Sequence, residues 1–270
     1  MVELYEQEII TLDRNSSKGN QLKWKNGDIW YKADYTGYEG LTEYMVSNLL
    51  AKSSLDMGLL VRYELEQISY KHIIMNGVKS QNFMKDEWQI ITLERLFKNQ
   101  YGKSMYESVW KIRSVTDRFE FLEEETARIT GITGFKKYLA ILFTIDAFFL
   151  NEDRHLHNIA VLMNKSGDFR LCPIFDSGAS LLSDTSVDYP LSVDVYSLLG
   201  VVKSKTISHD FDEQLDVAEK LCGEQLHFYF DKKDVERLLQ NAGNFYEKEV
   251  IERIRVIIYQ QMAKYSYLFK

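Results

Sequence analysis

Asp153, Arg154, His155 and Asn158 fall within six consecutive positions, and Asp176 follows a stretch that reads as a hairpin. Two carboxylates and a carboxamide at the mouths of a hairpin can converge on one point, a geometry that suits a divalent cation bridged to phosphates. Phosphoryl transfer needs a carboxylate to orient or deprotonate an attacking hydroxyl, at least two oxygen ligands for Mg²⁺, and a cation on the triphosphate. Asp153 fits the base, Asn158 and Asp176 the metal ligands, and Lys32 the phosphate clamp. A zinc hydrolase is a rival, because His155 and His157 at i and i+2 on an extended loop can chelate zinc. His72, His209 and His227 stand at no evident ligand spacing to them, and no third ligand stands out. The bland alternative is a polar turn whose charges make surface pairs worth little. Residue by residue that alternative holds. The ordered run Asn-x-Asp-Arg-His-x-x-Asn, then a hairpin, then Ile-Phe-Asp-Ser-Gly favours phosphoryl transfer.

The elements that must position these residues are legible in the pattern around them. The chain reaches Asn151 from the apolar run Tyr138 to Leu150, read as a buried helix. Phe119 to Leu150 divides into two helices at Gly131-Ile132-Thr133-Gly134. Strand-like segments follow the loop, Ile159 to Met163 and Phe169 to Phe175, with a Gly-containing turn between them. Upstream, Asn26-Gly27 marks a tight hairpin, and the strand after it, Ile29 to Ala33, carries Lys32. Glu39 to Leu50 has Leu41, Met45 and Leu49 at helical spacing, with Glu43 near its start. A strand lysine followed by a helix glutamate is the pairing kinases use to hold a phosphate-binding lysine. An outward lysine on an edge strand and a surface glutamate would look the same. The small-residue loop Asn15 to Asn20 could lie over phosphates, with backbone N–H groups and Lys18 as donors.

Between these motifs the spacing predicts a strand over Leu59 to Ile68, a hairpin around Asn76-Gly77 and a strand over Ser80 to Met84. Gln81-Asn82-Phe83 takes the place of a connector between lobes, where backbone groups could meet an adenine edge. Helical spacing runs over Ile91 to Phe97 and Ser104 to Phe121, and residues 210 to 270 read as helical throughout. A β-rich first part and a helix-rich second part make an α+β chain.

Composition bounds the setting. The chain has 270 residues, with 45% hydrophobic and 27% charged residues and a net charge of −7, so no overall basic field draws nucleic acid or anionic membrane. Cys172 and Cys222 are too few and too far apart for a disulfide framework or a Cys-based zinc site. The acidic N-terminus does not read as a signal peptide. The longest apolar run falls short of the roughly 20 residues a membrane span needs. A soluble, cytoplasmic protein is expected.

The motifs Asn151-Glu152-Asp153-Arg154-His155-Leu156-His157-Asn158-Ile159 and Pro173-Ile174-Phe175-Asp176-Ser177-Gly178 resemble those of HipA-like serine/threonine kinases, whose core is shared with the phosphoinositide 3-/4-kinases. Trp30 to Asp34 and Thr42-Glu43-Tyr44 match the family's ATP-lysine strand and following helix, so the resemblance covers most of residues 10 to 200. It implies a two-lobed protein-kinase-like fold, with a β-rich, nucleotide-binding N-lobe over 1–84 and a mainly helical C-lobe over 85–270. It also implies ATP and Mg²⁺ as cofactors, Asp153 as catalytic base, Lys32 on the phosphates, and Asn158 and Asp176 on the metal. In the family a serine of the nucleotide loop is autophosphorylated and ejects the loop; Ser16 and Ser17 are the candidates here. The expected acceptor is Ser or Thr of a protein. Full-length HipA toxins carry a further N-terminal subdomain that also contacts a DNA-binding antitoxin. This chain starts almost at the nucleotide loop, which puts an antitoxin-like partner in question. A lipid kinase shares every catalytic residue, although an acidic chain argues mildly against it. A nucleotide-binding pseudokinase acting through protein contacts is the alternative of a different class, and retention of Lys32, Asp153, Asn158 and Asp176 argues against it.

Overall fold

A computed structural model describes residues 1–9, 21–84 and 87–270. Along the chain run β1 (Val2–Glu3), β2 (Lys23–Asn26), β3 (Ile29–Ala33), α1 (Glu39–Leu50), β4 (Tyr63–Tyr70), β5 (Ile73–Gln81), β6 (Trp88–Thr92), α2 (Leu93–Tyr101), α3 (Met105–Lys111), α4 (Val115–Thr130) and α5 (Phe135–Phe149). Then come β7 (Ala160–Asn164), β8 (Phe169–Leu171), α6 (Val195–Leu199), α7 (Phe211–Cys222), α8 (Lys232–Ala242) and α9 (Lys248–Lys264). The chain is of the α+β class. It forms two compact units, one of Met1–Phe83, Phe175–Val202 and His227–Lys270, the other of Met84–Ile174 and Lys203–Leu226. The division by chain order expected above, 1–84 and 85–270, cuts next to the first of these crossings. No helix among the described residues is long and apolar enough to cross a membrane.

The first unit is built on a sheet of order β1-β4-β5-β3-β2, antiparallel except where β1 runs parallel to β4. Residues alternate between its faces. Trp24, Tyr31, Ala33 and Ile68 point to one side and bury a core with Leu4. Lys32 therefore lies on the other side, where α1 brings Glu43. Gly27, at φ +57°, makes the tight turn between β2 and β3.

The second hairpin of this sheet corrects the sequence expectation. It turns at Lys71-His72, both at positive φ (+50° and +64°), and Asn76-Gly77 lies inside β5. An Asn-Gly pair signals a turn only where its flanks can pair with each other, and here pairing of Tyr63–Tyr70 with Ile73–Ser80 makes the longer ladder. Gly77 has a different reason to be glycine. A Cβ there would come 2.1 Å from the carbonyl oxygen of Lys32, and a Cβ on Gly40 of α1 would come 2.8 Å from the Gly77 Cα. The strands expected over Leu59 to Ile68 and Ser80 to Met84 also shift, to β4 from Tyr63 and to the end of β5 at Gln81.

In the C-terminal part of this unit, α8 opens with a capping box between Asp231 and Asp234. Arg253 of α9 is buried and donates to the carbonyls of Tyr189, Pro190 and Val193. Helix does not run unbroken from 210 to 270. Phe228 lies in an extended stretch that bridges to Ser53 and Phe269, because its backbone finds sheet-like partners there.

The second unit has an antiparallel sheet of order β6-β7-β8 and the helices α2 to α5 and α7. Ile91 belongs to β6, and α2 begins only at Leu93, where the Thr92 hydroxyl accepts the N–H of Arg95 as a cap. The break expected at Gly131–Gly134 is where α4 ends and α5 starts. Twelve of the fifteen residues of α5 are buried, so its apolar run is core helix. The hairpin after the polar loop is β7–β8, with Val161 opposite Leu171 and Met163 opposite Phe169.

Candidate active site

In the first unit the site is built around Lys32. Its Nζ lies 2.5 Å from Glu43 Oε1 and 2.8 Å from Asp176 Oδ1. Glu43 is tied down by its other oxygen, which accepts the backbone N–H of Ser177 at 3.1 Å. Burial by itself would lower the pKa of Lys32, but the charges of Asp176 and then Glu43 outweigh it and hold the ammonium well above its ordinary range. Lys32 is thus a permanent cation, fixed by a helix carboxylate and by the first polar residue after the β8 strand.

The backbone around Asp176 is strained. Asp176, Leu181 and Leu182 sit at φ +60°, +52° and +58°. Leucine disfavours this region by about 1–2 kcal/mol, and such strain persists only where neighbours over-determine it. Here the Tyr38 hydroxyl donates to the carbonyls of Leu181 at 2.7 Å and Leu182 at 3.0 Å.

In the second unit the polar loop leaves α5 through Leu150, which takes φ +57°. Arg154 is wholly buried, and its Nε donates to Asp146 at 3.1 Å (Oδ1) and 3.2 Å (Oδ2). Burial pushes the Asp146 carboxyl up to about 6, and the Arg154 charge opposes that rise. Arg154 Nη1 also donates to the Asn158 carbonyl at 3.2 Å, and the Thr206 hydroxyl donates to the Arg154 carbonyl. Asn158 Nδ2 donates to the Asp153 carbonyl at 2.8 Å and reaches Asp153 Oδ2 at 3.4 Å. His155 Nε2 is 3.8 Å and Lys205 Nζ 4.0 Å from Asp153 Oδ1. The β6–α2 corner holds the loop from outside, with the N–H of Leu93 donating to the Ile159 carbonyl and that of Glu94 to the Leu156 carbonyl.

The structure thus brings Lys32, Glu43 and Asp176 together in one unit, and Asp153 and Asn158 together in the other. Gln81 ends β5, Asn82 accepts from the Trp30 indole at 3.2 Å, and Phe83 packs on Phe175 at 5.9 Å between ring centroids. Ser16, Ser17 and Lys18 lie outside the described residues. Among the described residues no group of three or more His, Cys, Asp and Glu is placed to hold a metal ion. The His155 and His157 rings stand edge to face, 5.5 Å between centroids.

Two cations escaped the sequence reading. Lys23 Nζ lies 3.8 Å from Asp176 Oδ1. The turn at Gly27-Asp28 puts Lys23 directly opposite Lys32, whereas a turn centred on Asn26-Gly27, as read from the sequence, would set it opposite Trp30. Lys205 gave no signal, since it stands far from Asp153 along the chain with no motif around it.

No family model matches the sequence, and no curated protein does. Solved structures do match. One is the Helicobacter pylori proinflammatory kinase CtkA, with a TM-score of 0.63 and 16% identity over 97% of this chain and 94% of that one. Another is Shewanella oneidensis MR-1 HipA, from a complex of HipA, HipB and operator DNA, with a TM-score of 0.43 and 12% identity over 92% of this chain and 64% of that one. The similarity to CtkA establishes the fold: α+β, of the two-lobed protein-kinase-like class.

Proposed function

We propose that this chain is an ATP- and Mg²⁺-dependent kinase that transfers the γ-phosphate to a hydroxyl, Ser or Thr of a protein. The observation that carries the reading is the clasp on Lys32, 2.5 Å from Glu43 and 2.8 Å from Asp176. Kinases use such a strand-lysine and helix-glutamate pair to hold the cation that meets the nucleotide phosphates. The donor chemistry fits Mg²⁺ as well. That ion takes hard oxygens, accepts one or two protein ligands and keeps water and phosphate for the rest, so Asn158 and Asp176 would hold it. When bound, it would offset the charge on the phosphate oxygens.

The chain's own residues divide the remaining work. Glu43 orients Lys32. Asp153 accepts the proton of the acceptor hydroxyl, a role worth about 10²–10⁴-fold in rate. Arg154, clamped to Asp146, shapes the loop that presents Asp153. Gln81, Asn82 and Phe83 are the segment that would meet an adenine edge, with the Asn82 N–H itself engaged by the Asp28 carbonyl at 2.7 Å, and Ser16 or Ser17 is the site of autophosphorylation. The place of work is the cytoplasm, in keeping with two free thiols, Cys172 and Cys222. The protein acceptor is the partner this reading requires.

The test is γ-phosphate transfer by wild type and by Asp153→Ala, with protein and phosphoinositide acceptors side by side. Transfer to protein by wild type alone is expected. Transfer to lipid only would make the chain a lipid kinase. ATP binding with transfer to neither acceptor nor itself would leave a nucleotide-binding interaction module.

A further inference from the structure

We propose that Tyr38 is a positioning residue for Asp176, an inference that rests on the kinase reading, in which Asp176 is a Mg²⁺ ligand. Tyr38 stands at the N-cap of α1, where Ser, Thr, Asp or Asn would ordinarily serve the free N–H groups. Its side chain makes no cap hydrogen bond. That service comes from upstream, where Asp34 Oδ1 accepts the Gly40 N–H at 2.5 Å. The buried Tyr38 hydroxyl is turned instead onto the carbonyls of Leu181 and Leu182, the two consecutive leucines at positive φ. Arg253 of α9 faces the same hydroxyl and is itself fixed on three carbonyls.

Helix α1 and the loop before it grip the segment from Ser177 to Ser183 at both ends. Glu43 Oε2 accepts the Ser177 N–H at 3.1 Å, and the Tyr38 N–H donates to the Ser183 carbonyl at 3.2 Å. A Cβ on Gly37 would fall onto that same carbonyl oxygen, so only glycine lets the two backbones meet. Inside the segment the Ser180 N–H donates to the Ser177 carbonyl and the Ser183 N–H to the Ser180 carbonyl. The Ser183 hydroxyl closes it further, donating to the Gly178 carbonyl at 2.6 Å. These turns make one short, stiff link from Leu182 back to Asp176. Leucine backbone at positive φ holds only while its neighbours restrain it. Its relaxation would carry the Asp176 carboxylate along, so Tyr38 acts through Asp176.

Calorimetric binding of ATP in EDTA and in Mg²⁺ tests the assignment on wild type, Tyr38→Phe, Asp176→Asn and Ile258→Val, with a thermal melt on each. Tyr38→Phe keeps the ring in the core and removes only the hydroxyl. The gain in ATP affinity that Mg²⁺ brings should fall about tenfold in this variant, the scale of one or two lost hydrogen bonds, while affinity in EDTA stays within about threefold. Asp176→Asn should lose the same gain. Ile258→Val, a small cut in the fully buried face of α9, should lower the melting temperature and leave the gain whole. If Tyr38→Phe keeps the gain that Asp176→Asn loses, the inference alone fails and Tyr38 is a core residue. Loss of the gain in Ile258→Val as well also overturns it, because general loosening would then be the cause. If wild type binds no ATP, or Asp176→Asn keeps the gain, the kinase reading of this site fails and the inference with it.

Discussion

Arg154 Nε lies 3.1 Å from Asp146 Oδ1, with both side chains essentially out of solvent. The pair joins the last turn of α5 to the loop that carries Asp153 and Asn158. Breaking a buried pair by deleting one partner strands the other charge, at a cost of about 3–5 kcal/mol. Arg154→Met should lower stability by that much in urea unfolding. The double variant Arg154→Met with Asp146→Leu should be less destabilised than the single one, because no orphan charge is left. A single variant within about 1 kcal/mol of wild type would show that the pair behaves as a surface ion pair and does not anchor the loop.

Glu43 tests the clasp from the helix side. One of its oxygens meets Lys32 and the other accepts the Ser177 N–H at 3.1 Å. Glu43→Gln keeps an acceptor of the same shape and removes the charge. Phosphate transfer should fall by roughly 10²-fold, the scale of losing one preorganised electrostatic contact, while the melting temperature moves little. Steady-state transfer and a thermal melt on the same sample read both quantities. An unaltered rate would mean that Lys32 needs no help from α1.

Much of this was legible from the chain because it is local. Ile29–Ala33 and Glu39–Leu50 appear as read, set by alternation after a tight turn, whose central pair is Gly27-Asp28, and by the helical spacing of Leu41, Met45 and Leu49. The break between α4 and α5 was written in two glycines. The β4–β5 hairpin was misread because two long strands chose a register that the Asn76-Gly77 pair could not override. The arrangement at Lys32 joins residues 144 apart in sequence, so periodicity alone could not deliver it; only the order of motifs did. Lys23 lay in plain view, but its approach to Asp176 needed the register of a hairpin whose outer strand was read for its alternation alone.

Gly77 makes the backbone behind Lys32 testable. An added Cβ would press on the Lys32 carbonyl at 2.1 Å and on the Ala33 Cα at 2.9 Å. Backbone cannot swing away as a side chain would, so β3 and β5 must part locally. Gly77→Ala should cost about 1–3 kcal/mol, the usual range for overpacking. It should also weaken ATP binding through displacement of the Lys32 peptide. Unfolding in urea and nucleotide titration check the two effects. Wild-type stability in the variant would contradict the close approach.

Asp34 gives the fold a pH dependence with a definite sign. Its Oδ1 accepts the Gly40 N–H at 2.5 Å and its Oδ2 the Tyr246 hydroxyl at 2.8 Å. Desolvation pushes the carboxyl up to about 8; those hydrogen bonds oppose the rise and the Glu39 charge adds to it. In the unfolded chain an aspartate titrates near 4. Between those values the folded protein holds a proton that the unfolded chain has released, so the stability from this group falls as pH rises from about 4 to about 8. Asp34→Asn keeps an acceptor and cannot ionise, so its urea midpoint should decline less than that of wild type between pH 5 and pH 8. Tyr246→Phe removes the hydroxyl that favours the charged form, so it should steepen the decline. Parallel profiles for wild type and Asp34→Asn would mean that the two hydrogen bonds outweigh desolvation and keep Asp34 ionised throughout.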